Sequence, residues 1–493
     1  MQAQEKRPEP ILIQGGMGVA VSNWELARAV SQTGQLGVVS GTAIDTVLVR
    51  RLQLGDVGGH MRRALADFPY PQMARRIVDR YFVEGGIESD APHTATMVLP
   101  HEPSQAELEL VVVANFVEVY LAKEGHTGLI GINYLEKIQT PTLPSLFGAM
   151  LAGVDYVLMG AGIPRAIPGI LDRLQEGLPV ELPLHVIDAQ SDDNFVTRFD
   201  PKAFGGGDIP WLERPKFLAI VASTTLATML ARKSTGRVDG FIVEGPTAGG
   251  HNAPPRGKLP LNERGEPVYG PRDAVDLAAI AELGLPFWLA GSYGSHDKVR
   301  DAIDRGATGV QVGTAFAFCQ ESGFSSDIRQ RVLKQCRQGE PDVVTDPLAS
   351  PTGFPFKVLQ IEGSLSDTSV FEQRQRVCDL GFLRQAYRKA DGTVGWRCPG
   401  EPVKAYLHKG GELEDTVGRK CVCNGLVANI GMAQRRRGSG LEQPLVTCGN
   451  DVASIVQFLK TPDATSYSAA DVVQTLLAEK GVDCSVGVAV SRC

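Results

Sequence analysis

The residues of this chain best suited to chemistry gather just after short apolar runs. The run GFIVEG (240–245) is followed by Pro246-Thr247-Ala248-Gly249-Gly250-His251-Asn252. Two glycines let a backbone pass close to a ligand, and a histidine placed after them can exchange protons near neutral pH. His251 is therefore the candidate catalytic residue, with a purely structural histidine as the alternative. Two further turns, Ala290-Gly291-Ser292-Tyr293-Gly294-Ser295 and Gly313-Thr314-Ala315-Phe316, bring small residues to the start of helical patterns. Main-chain N–H groups in such turns converge on an anion, or else serve only as caps. Near the N-terminus, Gln14-Gly15-Gly16-Met17-Gly18 sets three glycines around a flexible side chain. That backbone either runs beneath a flat ligand or makes a tight strand-to-helix turn.

These turns need elements to carry them. β-branched and apolar runs at 11–16, 36–41, 129–133, 155–160, 217–223, 240–245, 286–291 and 309–313 read as strands. Between most of them lie helical patterns such as NWELARAVSQTG and SHDKVRDAIDRG, with apolar residues three and four apart and a glycine near the end. Eight strands in this alternation predict a (β/α)8 TIM barrel, in which ligands sit at the C-terminal strand ends. An open doubly wound sheet is the competitor, but it places its phosphate signal at the first turn. Here the glycine signals follow the first, sixth, seventh and eighth strands. The run LPLHVID (182–188) is a further strand candidate. A phosphate held by the last two barrel turns, without a Walker A loop and without a Schiff-base lysine at the strand ends, suits a flat phosphorylated cofactor. Flavin mononucleotide meets that description.

Two segments exceed ordinary loops. A large insertion after strand 2, about 42–128, contains the helical patterns QMARRIVDRYF and QAELELVVVANFVEVYLAK, suited to a lid or a subunit contact. Residues 189–215 read as a Gly/Pro-rich excursion. The expected division is a barrel over 1–340 and a C-terminal extension over 341–493 that forms a mixed module.

Composition narrows the partners. Lys plus Arg number 49 and Asp plus Glu 56 in 493 residues, for a net charge of −7. That balance argues against a nucleic-acid or anionic-membrane binder. The apolar stretch at 108–122 is interrupted by Glu109, Asn115 and Glu118, so it does not read as a bilayer span. The polar opening MQAQEKRPEP carries no signal-peptide core, and the expectation is a cytoplasmic protein.

The segments ILIQGGMG, EGPTAGGH and the pair AGSYG and GVQVGTAF resemble the nitronate monooxygenase family, once called 2-nitropropane dioxygenases. The resemblance covers about residues 8–320. It implies a TIM barrel with non-covalent FMN. It implies that Gln14, Gly15, Gly16 and Met17 lie along the flavin ring, and that Asn133 and Ser223 bond to flavin or ribityl atoms. Glu244 stands where the family often has glutamine, near the ring, with Gly249 and Gly250 beside the cofactor. Gly291, Ser292, Gly294, Gly313 and Thr314 correspond to the phosphate site, with Gln311 nearby, and His251 to the catalytic histidine. Thr247 departs from the acidic residue usual before Ala-Gly-Gly-His. The insertion, the C-terminal extension and the SPTGFPFK stretch (350–357) are more similar to the long flavin enoyl reductases that serve polyketide and polyunsaturated fatty-acid synthases in trans.

Three functions follow as expectations. The first is oxidative denitrification of alkyl nitronates or nitroalkanes with O2, with protonated His251 beside an anionic substrate or His251 as base on a neutral one. The second is NAD(P)H-dependent reduction of enoyl thioesters or quinones at the same flavin, with an acyl carrier as a candidate partner. The third is a non-catalytic scaffold, and a homodimer is compatible with all of them. An IMP-dehydrogenase-like reaction would need a cysteine on a mouth loop, and Cys319 instead follows the eighth strand in a helix-like stretch.

The nine cysteines are unevenly placed, and Cys378, Cys398, Cys421 and Cys423 cluster late in the chain. They suggest either a zinc or iron–sulfur site, with Cys448 as a substitute ligand, or reduced thiols. The run Gln434-Arg435-Arg436-Arg437 reads as a solvated surface patch, or as a contact for an acidic carrier or a phosphorylated substrate.

Overall fold

The computed structural model describes residues 8–478 except 97, 208, 340 and 437–439. Eight parallel strands form its centre: β1 (Leu12–Gln14), β2 (Gly37–Ser40), β3 (Ile130–Leu135), β4 (Tyr156–Gly160), β5 (Lys216–Val221), β6 (Gly240–Glu244), β7 (Phe287–Ala290) and β8 (Gly309–Val312). Each pairs in parallel with its neighbour in chain order, and β8 pairs with β1. The seam between β1 and β2 is closed by a parallel bridge from Ile13 to Leu36. Gln14 N donates to Leu36 O at 2.9 Å, and Leu36 N to Leu12 O at 3.1 Å. The sheet is therefore a closed (β/α)8 barrel, as the strand count predicts.

Strand alternation divides the apolar residues between two cores. Ile13, Val38, Leu158, Leu218, Ile242 and Trp288 fill the barrel interior. Trp288 is fully buried at its base, and its Nε1–H donates to Pro10 O at 2.7 Å. The intervening residues, such as Phe241, Val243 and Leu289, face the surrounding helices in the largest cluster.

The long helix Gln105–Lys123 starts at a capping box between Ser104 and Glu107 and buries most of its length. It packs against the helices Trp24–Ser31 and Thr142–Leu151, so it is the barrel's own crossover helix between β2 and β3. Its interior Glu118 is not wasted charge: it accepts from Trp24 N at 2.8 Å and pairs with Arg51 at 2.6 Å. The inserted material proper is the shorter stretch before it, with helices Ile44–Gln53, His60–Ala66 and Pro71–Tyr81. No described helix is long and apolar enough to cross a membrane.

The run LPLHVID does not add a barrel strand. Val180–Pro183 pairs antiparallel with Val196–Phe199, outside the barrel. Val186–Ile187 joins Gln385–Arg388 and Val394–Arg397 in a small sheet that ties the segment just before the 189–215 excursion to the C-terminal part.

The residues after 340 cover the barrel mouth and then return to its flank. Phe356, Phe382, Leu383, Val422, Leu426 and Leu445 share a cluster with Val19, Ala43 and Ile138 from the barrel side. Further on, Val446, Val452, Ile455, Phe458 and Val472 belong to the same core as Leu12, Leu26 and Val310. The expected module thus has no core separate from the barrel over its last described part.

The basic run is not a solvated patch. Gln434 is buried and exchanges hydrogen bonds with the His93 backbone at 3.0 and 3.1 Å. Arg436 pairs with Asp379 at 2.9 Å and Glu442 at 2.7 Å, and Arg374 also pairs with Glu442 at 2.6 Å. Such charges stay inside only when each is matched and hydrogen-bonded. Arg435 is half-buried in a short two-stranded pairing, and Arg437 lies outside the described residues.

Candidate functional site

A pocket of about 230 Å3 opens at the C-terminal ends of the barrel strands. The turn after β1 contributes Gly15, Gly16 and Met17, and the end of β3 contributes Asn133. Gly16 is a glycine by necessity: a Cβ there would lie 2.3 Å from Cβ of Asn133. Glu244, Gly249, Gly250 and His251 follow β6, Gly291 and Ser292 follow β7, and Gln311, Gly313 and Thr314 come from β8 and its turn. Ser292 adopts φ 59°, as a left-handed non-glycine residue. Such backbone strain is tolerated where surrounding structure fixes it, commonly at ligand sites.

Three expected residues do not line the pocket. Gln14 is fully buried beneath it. Its Oε1 accepts from Val38 N at 3.0 Å and its Nε2 donates to Ser22 Oγ at 2.8 Å, which stitches the β1–β2 seam. Ser223 is the N-cap of the helix Thr224–Lys233, its Oγ accepting from Leu226 N at 3.1 Å. Gly294 is turned toward Asp451, whose Oδ2 lies 2.9 Å from the position of a Cβ there.

His251 sits in the pocket wall. Its Nε2 is 2.6 Å from Ser350 Oγ, and its ring meets Phe356 edge-on at 4.8 Å. Ser350 is itself fixed by Thr352 Oγ1 at 2.9 Å. Burial holds the imidazolium down to about 4, so the ring is neutral near pH 7. This corrects the expectation of a protonated His251 waiting for an anion. The Glu244 carboxyl makes no hydrogen bond or ion pair among the described residues, and burial lifts it to about 8. At neutral pH it is a carboxylic acid, a donor as well as an acceptor, as the amide of a glutamine would be.

The pocket's residues suit a flat phosphorylated ligand. Gln311 Oε1 is buried with no partner among the described residues, an acceptor aimed at the cavity. The amides of Gly313, Thr314 and Ala315 open a helical turn and lack intrahelical acceptors, as an anion requires. FMN fits this set: its ring would lie over Gly15, Gly16 and Met17, and its phosphate at the β7 and β8 turns.

The roof was not legible as such in the sequence. Phe356, Phe382, Leu383, Val422 and Leu426 close the pocket from the C-terminal part, together with Thr447, Cys448, Gly449 and Asp451. The SPTGFPFK stretch was the only sequence signal for this roof, through Ser350 and Phe356. Among the described lining residues there is no lysine or arginine. A small annex of about 20 Å3 continues past Thr42, Ala43 and Ile138 to the buried Asp45, which burial lifts to about 6.

The late cysteines do not assemble a metal centre. Among the described residues no group of three or more His, Cys, Asp or Glu side chains is placed to hold a metal ion. Cys421 takes a hydrogen bond from Asn424 Nδ2 at 3.2 Å and contacts Val377 O at 3.7 Å. Cys423, two residues on, faces the pocket instead, since residues two apart on a helix do not share a face. Cys378 and Cys398 influence each other's ionisation, which holds Cys378 down and pushes Cys398 up. Cys448 is buried under the roof, and all the described cysteines are free thiols. The expected zinc or iron–sulfur site at Cys378, Cys398, Cys421 and Cys423 is thereby not supported.

Comparison with known proteins agrees with the resemblance read from the motifs. Residues 209–344 match a family model described as Nitronate monooxygenase, a span that contains β5 to β8, His251 and the turns after β7 and β8. A probable nitronate monooxygenase of Bacillus subtilis (strain 168) is 34% identical over 115 residues, 23% of this chain and 31% of that protein. One from Staphylococcus haemolyticus (strain JCSC1435) is 28% identical over 197 residues, 38% of this chain and 50% of that protein. The chain therefore spans half or less of the length of these curated relatives. The solved structure of FabK from Thermotoga maritima covers 95% of this chain and 92% of its own at 15% identity, with a TM-score of 0.46.

Proposed function

We propose that this chain is an FMN-dependent oxidoreductase acting on a neutral substrate with an apolar chain, an enoyl thioester or a quinone, at the expense of NAD(P)H. One observation carries the choice of substrate. The cavity is roofed by Phe356, Phe382, Leu383, Val422 and Leu426 and, among the described residues, lined by no lysine or arginine, while His251 is neutral. An anionic substrate brought under that roof loses its hydration without meeting a counter-charge, whereas a cofactor phosphate at the β7 and β8 turns would be met by main-chain amides.

When bound, FMN supplies hydride transfer. The chain's own residues supply the rest. Saturation of a carbon–carbon double bond takes up one hydride and one proton, and Glu244 carries a proton at neutral pH at the wall of the pocket. His251, held by Ser350, has its other ring nitrogen free to bond to a substrate carbonyl or to take a proton. The apolar roof excludes water and holds the chain of the substrate.

Oxidation of nitroalkanes with O2 is the second reading, and the family match over 209–344 favours it. In that reading neutral His251 acts as base on the neutral nitroalkane.

Anaerobic mixing of the flavin-loaded protein with NADH, NADPH and alkyl nitronates separates the readings. Bleaching of the flavin by NADH or NADPH, followed by reoxidation with an enoyl thioester or quinone, is the expected result. Bleaching by nitronates alone would refute the reductase reading. Protein that takes up no FMN would leave the scaffold reading.

A further inference from the structure

The turn after β6 does not hold its histidine alone. Lys357 N donates to Gly250 O and Asn252 N to Pro355 O, each at 2.9 Å, so His251 and Phe356 pair across a short antiparallel bridge. The bridge brings the SPTGFPFK stretch against the imidazole. Ser350, its first residue, is fully buried. The Ser350 carbonyl accepts from Arg419 Nη1 at 2.6 Å and from Gly353 N at 3.2 Å, which fixes the backbone that carries the hydroxyl. Phe356, meeting the imidazole edge-on, limits the tilt of the ring.

The hydrogens around Ser350 decide which way each bond runs. A hydroxyl has one hydrogen to give and two lone pairs to receive with. This one meets His251 Nε2 at 2.6 Å, Thr352 Oγ1 at 2.9 Å and Thr352 N at 3.2 Å. The Thr352 main-chain N–H can only donate, so it occupies one lone pair. Thr352 Oγ1 in turn accepts from Phe354 N at 3.3 Å. Were Ser350 to give its hydrogen to Thr352, the Thr352 hydroxyl hydrogen would have no acceptor among the described residues. With Thr352 donating to Ser350 and Ser350 to His251, every hydrogen is placed. The short separation agrees: a ring N–H keeps about 2.7 Å or more from an acceptor oxygen, whereas a hydroxyl donor approaches to about 2.5 Å. His251 Nε2 is then an acceptor, and the hydrogen of the neutral imidazole lies on Nδ1. Nδ1 has no partner among the described residues, on a side chain that lines the pocket.

We propose that Ser350 is a positioning residue that fixes His251 as its Nδ1–H tautomer, so that the ring offers the pocket an N–H donor for a carbonyl oxygen and no basic lone pair. The tautomer follows from the fold; its use on a carbonyl rests on the reductase reading and deepens it. Hydride from a reduced nicotinamide, passed by way of the flavin, adds to the β-carbon of an enoyl thioester. The electrons of the double bond move toward the thioester oxygen, where a donor fixed beforehand stabilises the charge and keeps its own hydrogen. They return to the α-carbon as it takes the proton assigned to Glu244. A histidine held in this tautomer has no free lone pair for the carbon acid of a nitroalkane.

The first readout is the tautomer itself. The full chain is isotope-labelled at the ring nitrogens of its eight histidines, and long-range proton–nitrogen NMR correlations separate a nitrogen that bears hydrogen from one that does not. The spectrum of His251→Asn identifies the His251 signals by their loss. In wild type Nδ1 bears the hydrogen and Nε2 is bare. In Ser350→Ala the balance moves toward the Nε2–H form by about 5-fold or more, the worth of one hydrogen bond. Thr352→Val frees a lone pair on Ser350 to accept from Nε2–H and moves the balance the same way by about 2-fold or more, which carries the test if the Ser350→Ala chain does not fold. The second readout is the infrared carbonyl stretch of a short enoyl thioester, crotonyl N-acetylcysteamine, bound to flavin-loaded protein without NAD(P)H. That stretch lies lower in wild type than in either variant. Hydrogen on Nε2 in wild type, or a balance that no folded variant moves, would overturn the positioning role. An Nδ1–H tautomer with the same carbonyl stretch in wild type and variants would overturn the donor role. Flavin that neither NADH nor NADPH bleaches would overturn the reductase reading and the use on a carbonyl with it, while the tautomer keeps its own spectrum.

Discussion

Glu244→Gln isolates the one carboxyl that the pocket holds as an acid. Burial lifts Glu244 from 4.5 to about 8, and no described residue pairs with it. In the apo-protein the folded chain therefore keeps a proton that the unfolded chain has already lost, between about pH 5 and about pH 8. Folding binds more protons than unfolding in that window, so this group makes stability fall as pH rises. Each pH unit costs about 1.4 kcal/mol, and the window spans about three units. Water in the open pocket screens part of this, leaving a difference of about 2–4 kcal/mol. Glutamine keeps the shape and does not titrate, so its stability lacks the slope. The assay is urea denaturation of both apo-proteins across the window. Subtracting the two curves removes every other titrating group, Asp45 included. Below about pH 5 the two proteins match; toward about pH 8 the glutamine protein gains steadily and then levels off. A difference that stays flat across the window, or that grows in favour of wild type, would refute the neutral acid and with it the proton donor assigned to Glu244.

Other outcomes follow from the same geometry. His251→Asn keeps FMN, because its neighbours rather than its ring face the anion, and slows substrate-dependent flavin turnover by about 100-fold or more. In wild type no His251 limb appears in the pH–rate profile between about pH 5 and about pH 8, because the ring titrates at about 4, below that window. Ser350→Ala removes the 2.6 Å contact to Nε2 and lowers the rate by about 3- to 10-fold with FMN binding unchanged, as read by stopped-flow reduction and by titration. Gly16→Ala drives a Cβ into Asn133 and costs about 1–3 kcal/mol of stability, with a loss of bound flavin visible in the absorption spectrum.

The barrel was legible because its signals are local. Each strand is an apolar run bounded by turn residues, and the glycines after β1, β6, β7 and β8 mark where backbone must come close to a ligand. His251, Gly249, Gly291 and Gly313 could be placed from that pattern alone. Gln14 and Ser223 could not, because a side chain at a strand end can point into the pocket, down the seam or onto the next helix, and the choice depends on which N–H lacks an acceptor. For Gln14 that was Val38 N across the β1–β2 seam, and for Ser223 it was Leu226 N. The run LPLHVID has the composition of a strand, but it is divided between the end of Val180–Pro183, paired with Val196–Phe199, and Val186–Ile187, paired with Gln385–Arg388, and neither piece joins the barrel. The roof was hidden for a different reason. Ser350, Thr447 and Gly449 reach the site through contacts separated from it by many tens of residues, and a reading by local pattern has no access to such pairs. The cysteines misled because their crowding along the chain says nothing about whether four sulfurs point at one centre.

Residues 447–457, which tie together the turns after β6, β7 and β8, come late in the chain, more than a hundred residues after the last barrel strand. A ribosome delivers all eight strands, and with them His251 and both glycine turns, well before Asp451 emerges. Until then Gly250 N, Thr314 Oγ1 and Gly294 O lack the partners that Thr447, Gly449 and Gln457 supply. Enclosure of any ligand therefore depends on residues that are made only after every barrel strand has been made.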